Sequence, residues 1–208
     1  MGSQWQVERK HDPYYKSAKK ENYRSRASYK LLQLNKKYKL IKEGYSVVDL
    51  GAAPGGWSQV ALERVGETGT VVGVDLNNMR GFKDYPNFVK VRGDFTDGEV
   101  QNKIIDSMDG KANALISDAA PKLTGIRDID QLNSYELVDT VLNLRSVLLK
   151  EHGNMLIKIF QGPEFNDVVK SIKNDFKIVK TTKPASSRKK SSEMYLMGLN
   201  YRPSKKIR

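Results

Sequence analysis

The chain has 208 residues, 38% of them hydrophobic and 29% charged, with a formal net charge of +12. That is enough for one domain with a sizeable core, and no apolar run approaches the ~18 residues of a membrane span. With no cysteine and two histidines, His11 and His152, the composition argues against disulfides, thiolate nucleophiles, cysteine-rich zinc sites and Ser-His-Asp catalysis.

The N-terminus, MGSQWQVERKHDPYYK, lacks the apolar stretch of a secretory signal. Gln6 stands where a myristoylation site needs Ser or Thr. The expected location is the cytoplasm. Residues 1–22 read as a basic arm, with no clear period over 1–21, residues 23–202 as the domain and 203–208 as a basic tail. From Tyr23 onward, Ala27, Leu31, Leu34 and Tyr38 fall at helical spacing, and Gly44 ends that helix or the loop after it. YSVVDLG then predicts a strand and WSQVALERVG a helix that opens on a glycine turn. GTVVGVD and FVKVRGD predict strands, VQNKIIDSM a helix and ANALISD a strand. LNSYELVDTVLNLRSVLLK predicts one long helix, with Leu137, Val141, Leu144 and Leu148 on a face assigned to core rather than to a ligand. GNMLIKIF is the next strand and PEFNDVVKSIKNDF a helix. FKIVKTTK and EMYLMGLNYR are strands joined by PASSRKKSS. Strands alternating with helices predict an α/β fold, a mostly parallel sheet covered on both faces. The last two strands, with no helix between them, are expected to pair antiparallel.

The charge is unevenly placed. Residues 1–44 hold 12 Lys and Arg against 4 Asp and Glu, residues 177–208 hold 10 against 1, and residues 45–176 hold 14 against 19. An acidic middle with two basic ends suits a polyanion bound by the ends and a small ligand held by the middle. Tyr14, Tyr15, Tyr23, Tyr29, Tyr195 and Tyr201 stand among those cations, the mixture that base stacking with phosphate contact uses. Solvated basic tails are the plainer reading of the same pattern.

The stretch VVDLGAAPGGWSQ, residues 47–59, is the most informative. In an open α/β sheet a ligand sits beyond the carboxyl ends of the strands, where Asp49-Leu50-Gly51, Asp75, Asp94 and Asp118 fall. Asp75 follows Gly51 by 24 residues, near the ~20 expected of an acid that grips a ribose hydroxyl. The dinucleotide fingerprint G-x-G-x-x-G is broken. Gly51-Ala52-Ala53-Pro54-Gly55-Gly56 lacks the middle glycine through which backbone approaches a pyrophosphate, and Pro54 removes an N–H donor. No Lys-Ser/Thr follows, which excludes a nucleotide P-loop. A turn able to hold an adenosine-bearing ligand without phosphates remains, and S-adenosylmethionine fits that description. A plain strand-to-helix joint has the same glycines.

DLGAAPGGWSQ, SDAAPKLTG at 117–125, IKIFQG at 157–162, SSRKKSSEMYLMG at 186–198 and YRSRASYKLLQL at 23–34 together resemble the FtsJ/RrmJ family of RNA ribose 2′-O-methyltransferases. The resemblance implies the Rossmann-like class I S-adenosylmethionine-dependent methyltransferase fold, a mostly parallel seven-stranded sheet with an antiparallel last strand. It implies a catalytic tetrad of Lys30, Asp118, Lys158 and Glu193, and cofactor contacts at Gly55, Gly56, Trp57, Asp75, Asp94 and Asp118, with no metal. Ala119 stands where close relatives often have Met. The implied substrate is a uridine ribose in the A loop of large-subunit ribosomal RNA; relatives act instead on tRNA anticodon loops or mRNA caps. Partners are RNA, not DNA or membrane, since a 2′-hydroxyl belongs to RNA, and a monomer is expected. A silent RNA-binding module is the competing class.

The residues make sense of that chemistry. Lys158 interrupts an apolar strand, Met155 to Phe160, and a lysine there is seldom buried without a partner. Burial and the like charge of Lys30 would lower its pKa while Asp118 and Glu193 raise it. Lys158 is therefore the expected acceptor of the 2′-hydroxyl proton, oriented by Asp118. Lys30 alone reads as a solvated helix flank. Glu193, the sole acid in residues 177–208, reads alone as charge balance. Trp57 either stacks near the cofactor or staples helix to sheet.

Overall fold

The computed structural model describes residues 12–122 and 124–203; the first half of the N-terminal arm and most of the basic tail lie outside them. What is described of the arm is helical. Asp12 caps helix α1 (Pro13–Lys20), its Oδ1 accepting the N–H groups of Tyr14 at 3.0 Å and Tyr15 at 3.2 Å. Proline at the first position suits a helix start, where its missing N–H is no loss. At 8 residues the helix is too short to show a period, so the Asp-Pro cap was its sequence signal. Arg26 ties it down by an ion pair to Asp12 at 2.5 Å.

Helix α2 (Ser28–Tyr38) leads into strand β1 (Ser46–Leu50), followed by α3 (Gly56–Val65), β2 (Thr70–Asp75), β3 (Phe88–Arg92), α4 (Gly98–Asp106) and β4 (Ala112–Ser117). The long helix expected next breaks at Leu144, which caps α5 (Arg127–Asn143) and opens the single turn α6 (Arg145–Leu148). Strand β5 (Leu149–Phe160), α7 (Phe165–Ser171), β6 (Phe176–Thr182) and β7 (Glu193–Tyr201) complete the chain.

The seven strands lie in the order β3-β2-β1-β4-β5-β7-β6. Strand β7 is inserted antiparallel between β5 and β6, and β1 to β5 pair in parallel. The β-branched runs of β1 and β2 are buried on both faces, as a parallel sheet under two helical layers requires. Alternate residues feed alternate cores. Val48, Leu50, Val72 and Leu115 face α4, α5, α6 and α7, whereas Val47, Val71, Ala114, Ile116 and Leu156 face α2 and α3. The order reverses between β1 and β4, which opens a crevice at their carboxyl ends. No helix among the described residues is long and apolar enough to cross a membrane.

Candidate active site

The alternation that builds the α2–α3 core also aims the polar side chains. Ala114 and Ile116 face it, so Asp118, two residues on, points the same way just past the end of β4. Leu156 faces it, and so does Lys158. Met197 and Tyr195 face it, and Glu193 follows at the same period. Lys158 lies directly across from Tyr195 in the β5–β7 ladder. Lys30 arrives from α2, which covers that face.

The four predicted tetrad residues therefore meet. Lys158 Nζ donates to the Asp118 carbonyl at 2.5 Å and stands 3.3 Å from its Oδ1. Lys30 Nζ donates to Glu193 Oε2 at 3.0 Å and lies 3.8 Å from Asp118 Oδ1. The Lys158 side chain is 9% exposed and that of Lys30 11%. Charges this dry need partners, because desolvation costs several kcal/mol per ion. Burial pushes the Glu193 carboxyl up, but the charge and hydrogen bond of Lys30, together with Ser187 and the charge of Lys158, hold it below the usual glutamate value. The buried Tyr195 hydroxyl donates to Asp118 Oδ1 at 2.6 Å, and Lys30 Nζ lies 5.5 Å from its ring centroid. Sequence reasoning missed Tyr195, although two residues along a strand from Glu193 means one shared face.

A cavity of about 680 Å³ opens beside this cluster at the switch point. Asp75, Asp94 and Asp118 all line it, together with Gly51, Ala53 and the exposed Leu76. Asp75 is fixed by the Ala53 N–H on Oδ2 at 2.9 Å and the Asn77 N–H on Oδ1 at 2.7 Å. Asp94 Oδ1 accepts from the N–H and hydroxyl of Thr96. Gly51 adopts φ +74°, and a Cβ there would come 2.6 Å from the Ala119 Cβ, so glycine and a small residue at 119 fit each other. Helix α5 lends Asn133, Leu137 and Thr140 to the wall. Leu137, expected in the core, is half-buried and faces the cavity instead.

Gly56 and Trp57 line a smaller adjoining hollow of about 140 Å³, which also reaches Asp118; Gly55 lines neither space. Trp57 is buried, its Nε1 donating to the Ala27 carbonyl at 2.9 Å and its ring 5.8 Å from that of Tyr195. It staples α3 to α2 beneath the turn. Gly55, at φ +103°, leaves room for Arg24, whose Nη1 would sit 2.7 Å from a Cβ there. That guanidinium stacks 3.4 Å from the Phe82 ring centroid and donates to the carbonyls of Pro54, Arg80 and Gly81. Arg24 so locks the glycine turn to the loop after β2. Beneath the turn, Asp49 is buried, accepting the Ser58 hydroxyl at 2.6 Å. Burial pushes its carboxyl up to about 7, with help from the charge of Asp118 and against the pull of Ser58.

A parallel sheet reversing at β1 and β4, a carboxylate at the end of β2 and a phosphate-free glycine turn define a Rossmann-like methyltransferase. The family model of FtsJ-like methyltransferases matches residues 23–201, and the chain belongs to that family. It is 60% identical to a Methanobrevibacter smithii protein named ribosomal RNA large subunit methyltransferase E, over 99% of this chain and 97% of that one. A Methanothermobacter thermautotrophicus protein of the same name is 62% identical over the same shares of the two chains. The crystal structure of a Plasmodium falciparum protein described as a ribosomal RNA methyltransferase superposes with a TM-score of 0.76 at 31% identity, covering 86% of this chain and 98% of that one. Aeropyrum pernix fibrillarin, crystallised with natively bound S-adenosyl-L-methionine, shares the fold, with a TM-score of 0.56 at 16% identity over 77% of this chain and 68% of that one.

Proposed function

We propose that this methyltransferase moves the methyl group of S-adenosylmethionine onto a ribose 2′-hydroxyl in large-subunit ribosomal RNA, the target being a uridine of the A loop. The family and the names of its relatives support the cofactor and the ribosomal RNA. One observation carries the chemistry: Lys30, Lys158 and Glu193, from three separate elements, gather around Asp118, which lines a cavity with the volume a nucleoside needs. The cavity suits this cofactor. It offers carboxylates rather than a phosphate cradle, with Asp75 for the ribose hydroxyls, Asp94 for the adenine edge and apolar Leu76 beside them. When bound, the cofactor supplies a methyl group activated by a positive sulfonium.

The chain's own residues do the rest. Lys158 Nζ donates to the Asp118 carbonyl and stands 3.3 Å from its Oδ1. Held there by Asp118, Nζ takes the proton of the 2′-hydroxyl. Positioned proton transfer of this kind contributes about 10²–10⁴-fold. Lys30, held by Glu193, keeps a positive charge next to the oxygen as it loses that proton. The basic ends hold phosphates, which positions the RNA without reading its sequence. In this reading the protein acts as a monomer in the cytoplasm.

The test is transfer of labelled methyl from S-adenosylmethionine to large-subunit RNA, tRNA and capped mRNA, with the modified position mapped by its resistance to alkaline cleavage. Label at one A-loop uridine is the expected result. Label only in tRNA or at caps replaces the substrate. No label in any RNA, with binding intact, leaves a silent binding module. Full activity of Lys158→Met with unchanged cofactor affinity removes Lys158 as the base.

A further inference from the structure

A second concave surface lies on the outer side of α2, away from the reacting centre. It is a hollow of about 520 Å³, floored by Leu32, Asn35 and Ile41 and rimmed by Lys36, Lys39, Lys42 and Arg64. No carboxylate lines it, and among the described residues none of the four cations forms an ion pair. Among the nearby acids, Glu63 accepts the Tyr23 hydroxyl at 2.9 Å and Glu43 lies beside Gly66. Four cations on one rim repel one another, and an anion placed among them relieves this.

The backbone holds them in place. Asn35 Oδ1 accepts the Ile41 N–H at 2.8 Å and its Nδ2 donates to the Ile41 carbonyl at 3.2 Å, which pins the turn after α2. Lys39 sits in that turn at φ +54°, ψ +45°, as the helix C-cap. Glycine or asparagine is the usual residue in that conformation. A lysine there accepts backbone strain while adding its ammonium to the rim, and strain kept in place points to function. Along α2, Lys39 lies roughly 13 Å from Lys30 at ~1.5 Å per residue. One RNA strand spans that gap, yet the hollow is too far away to touch the reacting atoms.

We propose that this hollow is a phosphate groove that grips the backbone of the RNA flanking the methylated nucleotide. The inference rests on the RNA reading above and adds a contact region remote from the chemistry. Each phosphate neutralised releases counterions, so each contact steepens the fall of log affinity with log salt by about 0.9 for duplex or about 0.7 for single strand.

The experiment measures affinity for an A-loop fragment of large-subunit RNA from about 50 to 200 mM salt, using the full chain. Lys36→Gln/Lys39→Gln/Lys42→Gln is expected to bind on the order of 10–100-fold more weakly, with a slope shallower by about 2–3. The corresponding triple arginine variant keeps the slope. Lys39→Gly separates binding from folding: glycine relieves the backbone, so Tm is equal or higher while the slope falls by about 0.7–0.9. Methylation of a minimal oligonucleotide that does not reach the hollow, and cofactor affinity, stay unchanged in all three. A glutamine variant with the wild-type slope, or with an equal loss on the minimal oligonucleotide, overturns the groove. Wild-type protein that neither binds nor methylates large-subunit RNA overturns the RNA reading instead.

Discussion

The Tyr195 hydroxyl donates a 2.6 Å hydrogen bond to Asp118 Oδ1, the same oxygen that faces Lys158 at 3.3 Å and Lys30 at 3.8 Å. The ring is fully buried, and burial with the charges of Asp118 and Glu193 pushes the phenol far above its usual range. Tyr195 therefore stays protonated and remains a donor, which fixes the rotation of the Asp118 carboxylate against both lysines. Tyr195→Phe keeps the packing and removes the donor. A hydrogen bond to a charged group is worth ~1.5–3 kcal/mol, so the single-turnover rate of methyl transfer is expected to fall about 10-fold or more. Cofactor affinity stays within about 2-fold. An unchanged rate would mean that Tyr195 only fills space.

Glu193 and Lys30 link the site to stability. The folded carboxyl lies below its ordinary value of 4.5, because Lys30 at 3.0 Å, with Ser187 and Lys158, together outweigh burial. A depressed acid contributes stability above that ordinary value and loses it as pH falls through the folded one. Glu193→Gln is expected to lower stability at neutral pH by about 1 kcal/mol, and the difference from wild type should shrink toward acid. Denaturant titrations at several pH values measure this; a difference constant down to about pH 3 sinks the pairing.

Asp49 acts in the opposite sense. Its folded value of about 7 lies above the ordinary 3.8, chiefly through burial. Between those values the folded state binds more protons than the unfolded one, so stability falls as pH rises through that window. Asp49→Asn removes the titration. Its stability relative to wild type is expected to climb between about pH 4 and 7 and then level off, a gain of up to a few kcal/mol at ~1.4 kcal/mol per pK unit. Isothermal unfolding across that range checks it, and a flat difference means Asp49 keeps its charge when folded.

The alternation of strands and helices was legible because each element repeats its period several times. Helix α1 was not, since 8 residues show little period and only Asp12-Pro13 marks it. The break at Leu144 and the insertion of β7 between β5 and β6 were hidden as well, because both are settled by packing between distant segments. At the site, Lys158 stood out as a charge within an apolar strand, whereas Lys30 and Glu193 looked ordinary until the resemblance singled them out. Tyr195 was readable from its spacing to Glu193. Arg24 was not, because its partners are main-chain carbonyls up to 57 residues away, which leave no mark on residue type.

Gly56 tests whether the glycine turn matters for packing as well as for ligand. A Cβ there would come 2.1 Å from Ser25 Oγ and 2.9 Å from Ser28 Oγ. The Ser28 hydroxyl donates to the Gly56 carbonyl at 2.9 Å, so the starts of α2 and α3 touch at this point. Gly56→Ala displaces both serine hydroxyls, and through Ser28 it presses on the start of α2, which carries Lys30. Overpacking of this kind costs ~1–3 kcal/mol, which for a chain of this length shifts Tm by roughly 2–4 °C per kcal/mol. Methyl transfer should fall with it, because a displaced Lys30 loses its contacts with Glu193 and Asp118. Ser25→Gly in the same chain removes the nearest clashing atom and should restore part of both losses. A Gly56→Ala protein with wild-type Tm and rate would show that the two serine hydroxyls turn aside without moving α2, and that the position of Lys30 is not set by this contact.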